Sequence, residues 1–230
     1  MSDRVRRFFL VWALSAASAQ AARLELPSFL QTARQMHSVD LIGDTVDLWF
    51  NPLILMPPTG TPTVQDNANA YVRWGDHTGS FVEVAIWRTV GGRAIVGVNA
   101  VKPHVQLCAD FPCGPAAAFI GYDGRAYVPP SAATLGLEVG CNGLLPLPSR
   151  TDSPALRAAL HAAQARLRSY RVALKDRNLA SVMCVFPRYG TTVTVAVHTT
   201  DLAAARGRIF PLYYFRFDQV RGTFTPSAEP

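Results

Sequence analysis

Hydrophobic and polar positions alternate with a period of two over most of this chain, and shift to helical spacing in two stretches. The clearest hairpin runs from 81 to 101. Phe81-Val82-Glu83-Val84-Ala85-Ile86-Trp87-Arg88 leads into Gly91-Gly92 and out through Ala94 to Val101, and a glycine pair suits the positive φ angles of a tight hairpin turn. A second hairpin is predicted over Ala117–Tyr122 and Arg125–Val128 around Asp123-Gly124. Further strands are read at 45–50, Ala180–Phe186, Thr191–His198, Phe210–Phe217 and Thr223–Thr225. The proline-, threonine- and asparagine-rich stretch 51–69 reads as a long loop.

Helical spacing appears first at Leu26 to His37, with apolar residues at 26, 29, 30, 33 and 36 behind Pro27 and Ser28. It returns more strongly after Pro154, where Leu156, Leu160, Ala163, Leu167 and Tyr170 recur at steps of four and three. Ser153 stands at the N-cap position and Pro154 at the first helical one. Arg157, His161, Gln164 and Arg168 fall on the opposite face. Gly92 and Gly124 are 32 residues apart, as are Gly190 and Gly222, so the two β-rich parts read as an internal repeat offset by 98 positions, which sets Phe119 on Phe217. The expected class is α+β, dominated by antiparallel meanders, with a short N-terminal helix and one longer amphipathic helix between two similar halves. The segments are 1–21, a leader; 22–141, the first β-rich half; 142–153, a linker; 154–224, the helix with the second half; and 225–230, a flexible tail.

The leader follows from its own pattern. Arg4, Arg6 and Arg7 precede an apolar core, and small residues end at Ala19-Gln20-Ala21, the order of a cleavable export signal with the cut after Ala21. The apolar run is about 12 to 14 residues, short of the roughly 20 that span a bilayer. No cysteine precedes Cys108, so no lipid anchor is expected at the cut, and no transmembrane segment follows. Arg6-Arg7-Phe8-Phe9-Leu10 resembles the core of twin-arginine signals, which implies export of an already folded protein; Val5 and Val11 depart from that pattern. The expected location is secreted or periplasmic. No Asn-x-Ser/Thr sequon occurs, in keeping with a bacterial source.

Export changes how charge and cysteine are read. Loss of Asp3, Arg4, Arg6 and Arg7 lowers the formal net charge from +6 to +4. What remains is concentrated in residues 150–177, where Arg150, Arg157, Arg166, Arg168, Arg171, Lys175 and Arg177 face only Asp152 and Asp176. Four cysteines in an oxidising compartment suggest two disulfides. Three pairings are open, and the preferred one joins Cys108 with Cys113 across a short loop and Cys141 with Cys184 between distant segments. No C-x-x-C pair or matching histidine spacing marks a zinc site.

Standard catalytic motifs are missing: there is no G-x-S-x-G, H-E-x-x-H, phosphate-binding loop or dinucleotide fingerprint. His37, His77, His104, His161 and His198 are scattered and read as surface or turn residues. His37, Asp40, Asp44 and Asp47 match no calcium loop and read as polar groups around the Gly43 turn. Asp76-His77 with Ser80 outlines a hydrolytic group, but a Thr-Gly-Ser turn explains the same letters. The basic helix is the leading binding candidate, through Arg157, His161, Arg168 and Arg171, because arginine forms charge-assisted bonds to phosphate or carboxylate. These observations lead to a non-catalytic binding protein of the cell envelope with an envelope protein or anionic ligand as partner, no nucleic acid and no cofactor. A hydrolase with a dispersed site and a secreted inhibitor are the alternatives. The mass of the exported protein should start at Ala22, and retention of Met1 would refute cleavage.

Overall fold

Alternating segments that are apolar on both faces must be covered on both, and this dictates the layers. The computed structural model describes residues 23–35, 61–77, 81–101, 115–129, 131, 137, 140–141, 143–175, 181–198 and 208–230. Among them are two helices, α1 (Leu26–Gln35) and α2 (Pro154–Leu174). The strands are β1 (Val64–Asp66), β2 (Tyr71–Gly75), β3 (Phe81–Arg88), β4 (Ala94–Val101), β5 (Pro115–Tyr122), β6 (Tyr127–Val128), β7 (Gly143–Leu144), β8 (Ser181–Val185), β9 (Thr192–Val197), β10 (Pro211–Asp218) and β11 (Thr223–Ser227). They form two antiparallel meanders, ordered β1-β2-β3-β4-β5-β6 and β11-β10-β9-β8-β7, so the chain is an α+β fold dominated by antiparallel strands.

The first sheet is buried twice over. Val72, Trp74, Val84, Ile86, Val96, Val98 and Ile120 pack on Leu26 and Phe29 of α1. Arg88 holds that helix by donating to the Leu24 carbonyl at 2.9 Å and pairing with Glu25 at 3.3 Å. The other face carries Tyr71, Ala85, Trp87, Ile95 and Phe119 into a core shared with the second sheet and α2. All eight positions of β4 are therefore buried, and strict inside–outside alternation is lost there.

The second sheet is covered by α2. Leu160, Ala163 and Leu167 meet Cys184, Val193, Val195, Phe215 and Phe217, on the apolar stripe that the spacing predicts. Ser153 caps the helix by accepting from the Leu156 N–H at 3.2 Å, and Lys175 closes it in a left-handed conformation, φ 54°. Strand β8 lies against β4 and β5, and Cys184 is joined to Cys141 with a Cα–Cα distance of 5.0 Å.

Several expectations are corrected. The stretch 51–69 is not all loop: β1 lies within it and pairs with β2, a strand the alternation did not reveal because both its faces are covered. β7 occupies part of the 142–153 linker. The terminal 225–230 is no flexible tail. Thr225 to Ser227 belong to β11, Arg166 binds the Ala228 carbonyl at 2.8 Å and the Glu229 carboxylate at 3.1 Å, and Arg216 donates to the Pro230 carbonyl. Both sheets share the meander plan, yet the 98-residue offset does not carry into register. Tyr122 pairs with Tyr127 and Asp218 with Thr223, so Gly124 is the second of four turn residues whereas Gly222 is the fourth. The turns align Phe119 with Phe215, not Phe217. The strand read at 45–50, Met36, His37 and the leader lie outside the described residues.

Gly97 sits on β4 where the sheets meet. A Cβ there would stand 2.8 Å from the Trp87 ring and 2.9 Å from the rings of Phe119 and Phe186, all three within one aromatic cluster. Overpacking of this kind costs about 1–3 kcal/mol. Gly97→Ala should lower the urea midpoint by a corresponding amount; an unchanged midpoint would mean the rings have room to move.

Candidate functional site

A glutamate in the middle of an apolar hairpin needs a reason to be there. Glu83 on β3 is 0% exposed, opposite Arg73 on β2 and Asn99 on β4. Its Oε2 accepts from the Tyr71 hydroxyl at 2.8 Å and from His77 Nε2 at 2.7 Å. Oε1 accepts from Asn99 Nδ2 at 2.8 Å and from the Phe186 backbone N–H at 2.7 Å. Asn99 Nδ2 also donates to the Cys184 carbonyl at 2.7 Å. A carboxylate offers about four acceptor sites, and here each oxygen holds two donors.

The last two bonds explain why the site lies at the junction of the sheets. β7 pairs only with Ser181 and Val182, so among the described residues the outer edge of β8 beyond them has no strand neighbour. Buried backbone groups must find partners. The Cys184 C=O finds the Asn99 amide, and the N–H of Phe186, just past the end of β8, finds the Glu83 carboxylate. Two side chains of the first sheet thus do for that edge what a neighbouring strand would do.

Hydrogen-bond logic sets the protonation pattern. Arg73 Nη1 lies 2.9 Å from His77 Nδ1; a guanidinium only donates, so Nδ1 accepts and the proton resides on Nε2, directed at Glu83. His77 is 13% exposed and packs edge-on against Phe81, ring centroids 4.7 Å apart. Burial, reinforced by the neighbouring carboxylate, pushes the Tyr71 hydroxyl well above its ordinary pKa and keeps it a donor. At the rim, Arg188 pairs with Asp66 at 3.0 Å and lies 4.8 Å from the centroid of the Tyr189 ring. Hydrogen bonds from Asn69 and Arg188 hold the Asp66 carboxyl below the usual carboxylate range. Arg73 Nε and Asn99 Oδ1 are buried without a protein partner.

Chemically, the cluster is saturated as an acid–base device. Both lone-pair-bearing groups that a mechanism would recruit, the His77 Nδ1 and the Glu83 carboxylate, are already committed to protein donors. It reads as a clasp between sheets. His77 stands in a turn, as the sequence suggests, but is partly buried there and turned to Glu83; of the Asp76-His77-Ser80 grouping, Ser80 lies outside the described residues. Also outside them are His37, Asp40, Asp44, Asp47, His104, Cys108 and Cys113. Among the described residues no group of three or more His, Cys, Asp or Glu is placed to hold a metal ion.

The residues expected to bind a ligand lie elsewhere, on α2. Arg157, His161, Gln164, Arg168 and Arg171 follow at steps of four, three, four and three, which places them along one flank of the helix. His161 and Arg168 are exposed; Arg157 and Arg171 are half-buried. Arg157 donates to the Asp152 carbonyl at 3.4 Å, and Gln164 to the Pro146 carbonyl at 3.4 Å. Arg166 is on the other flank and is taken up by the Leu212 carbonyl at 2.7 Å and by the chain end. No aspartate or glutamate occurs anywhere in α2. The sequence reading set these residues opposite the apolar stripe; each follows a stripe residue by one position and so stands beside it. It missed the clasp: a two-residue turn at Gly91-Gly92 would set 83 opposite 100, and the observed pairing of Arg88 with Ala94 sets it opposite Asn99.

No family model matches this chain, and no curated protein matches it. Among solved structures, a domain of an uncharacterized protein from Porphyromonas gingivalis W83 is similar at a TM-score of 0.32 and 10% identity, over 69% of this chain and 71% of that one. A likeness at that score carries no argument.

Glu83→Ala would leave four donors facing no acceptor, and each buried donor left unsatisfied costs about 1–3 kcal/mol. Tyr71→Phe removes one bond to a charged acceptor, about 1.5–3 kcal/mol. Urea denaturation should rank them in that order. The raised Tyr71 pKa means that the folded chain retains a proton the unfolded chain loses near pH 10. Its contribution is complete below that pH and is lost as pH rises toward the folded value. Between pH 10 and 11 wild-type stability should therefore fall more steeply than that of Tyr71→Phe, by up to about 1.4 kcal/mol per pH unit. Buried Tyr213, whose pKa is likewise raised, adds equally to both. Parallel slopes would contradict the assignment.

Proposed function

We propose that the mature chain is a non-catalytic binding protein of the cell envelope, exported with cleavage after Ala21, that takes an anionic partner on the α2 flank. The observation that carries this reading is the flank itself: Arg157, His161, Arg168 and Arg171 share one side of a helix that holds no acidic residue. The ion pair that Arg166 of α2 makes with Glu229 lies on the other flank. Phosphate or carboxylate groups of the envelope supply the complementary charge.

Four features support the rest of the reading. The disulfide between Cys141 and Cys184 fits an oxidising compartment. No helix among the described residues is long and apolar enough to cross a membrane. The hydrogen bonds that tie the His77–Glu83 pair to Arg73 and to the Phe186 N–H support a structural role for it over a hydrolytic one. The one aromatic residue of α2, Tyr170, packs on Phe210 and donates to the Pro211 carbonyl at 3.0 Å rather than standing among the arginines of the flank, which disfavours a nucleic-acid platform.

The test uses heparin as a soluble polyanion. The mature protein should be retained at low salt and released as salt screens the flank. Exposed charge contacts are worth about 0.2–1 kcal/mol each, so Arg157→Gln with Arg168→Gln should weaken retention about three- to tenfold without shifting the thermal midpoint. Equal retention of the double variant would remove the flank as the binding surface.

A further inference from the structure

The cationic flank of α2 does not stand alone. Gln164, in the middle of it, donates to the Pro146 carbonyl and so seats the strip Gly143-Leu144-Leu145-Pro146-Leu147-Pro148 beside the arginines. Leu145 is 8% exposed and anchors the strip in the core. Its neighbours point the other way: Leu144 is 70% exposed and Leu147 78%. Val172, one turn beyond Arg168 on the helix, is 80% exposed. Three of the large hydrophobics most exposed among the described residues thus border a flank that is cationic along its length.

Resting on the reading of α2 as an anion-binding flank, we propose that its partner is an anionic lipid surface, with Leu144 and Leu147 entering the headgroup–acyl boundary while Arg157, Arg168 and Lys175 engage lipid phosphates. Arginine and leucine side by side match the two layers that a bilayer presents within a few ångströms, charge above and hydrocarbon below. The arginine stems are long enough to follow the leucines inward while the guanidinium stays at the phosphates. The prolines matter as well. Pro146 and Pro148 have no N–H, and the Pro146 carbonyl is already taken by Gln164, so lowering this strip into the interface strands fewer backbone groups than an ordinary loop would. Asp152, which follows the strip, accepts from the Ser149 N–H at 2.7 Å. A free phosphate or a soluble polyanion would use the arginines and leave the leucines in water.

Sedimentation of the mature protein with vesicles tests this. It should bind vesicles of half phosphatidylglycerol and half phosphatidylcholine, leave pure phosphatidylcholine vesicles unbound, and dissociate at high salt. Leu144→Ser with Leu147→Ser should weaken vesicle binding about tenfold or more and leave heparin retention unchanged; both side chains are exposed, so the thermal midpoint should hold. In a Leu147→Trp variant, brominated lipid should quench the added indole fluorescence. Retention on heparin without binding to phosphatidylglycerol vesicles would overturn the lipid surface and leave the anion-binding reading standing. Loss of both would overturn the two together. Vesicle binding that ignores the serine substitutions, with the added indole unquenched, would overturn insertion.

Discussion

The two sheets meet on a carboxylate. Glu83 is fully buried and accepts four hydrogen bonds, and an ionised carboxylate in an apolar core is tolerable only when its acceptors are filled. Three donors come from its own sheet, through Tyr71, His77 and Asn99. The fourth is the backbone N–H of Phe186 from the other sheet. Docking of the second sheet thus completes the coordination of a charge in the first, and the first sheet in return satisfies the open edge of β8. Hydrophobic burial brings Trp87, Phe119, Phe186 and Phe224 together but is not directional. The hydrogen bonds at Glu83 fix the position of the edge along the sheet face.

The parts of the fold legible in the sequence are those whose stability is local. The 81–101 hairpin follows from its glycine pair and its length, and α2 from a cap, a proline and a stripe of leucines, each of which acts within a few residues. β2 was not legible. Val72 and Trp74 face α1 while Tyr71 and Arg73 face the clasp, so burial on both sides erases the alternation that announces a strand. The expected free end failed for another reason: Arg166 and Arg216 capture it from distant elements, and nothing in the sequence of 225–230 carries that information. The glycine spacing was genuine as spacing. It misled on register because a turn needs a glycine somewhere, and the two turns use different places for it.

Of the candidate residues, those on α2 were legible because helical periodicity turns sequence distance directly into geometry. The clasp was legible only as an anomaly, a glutamate and an asparagine where apolar residues were due. Its meaning depends on β8, about a hundred positions away. His77 shows the limit most plainly: after Gly75 and Asp76 it looks like a turn residue, and only the β2–β3 pairing brings it back over Glu83.

Arginine serves this chain in three distinct ways, and the differences follow from its surroundings. Arg73 is held beside a neutral imidazole, where its planar fork fixes the tautomer that Glu83 requires. Arg166 spans two backbone carbonyls and a carboxylate with separate N–H groups, a reach that a single ammonium would not reproduce. Arg168 is exposed on the cationic flank. The first two are spent on holding strands in place, so their charge is not available to a partner. The local excess of positive charge visible in residues 150–177 therefore overstates the charge on the proposed surface: Arg166 is taken up on the other flank, and of the arginines of α2 only Arg157, Arg168 and Arg171 share the flank with His161. That flank is held rigid from below by the same core that the Glu83 clasp and the Cys141–Cys184 bridge align. A fixed array of cations needs little reordering when it meets an anionic surface, and this is where a folded scaffold has its advantage over a basic tail.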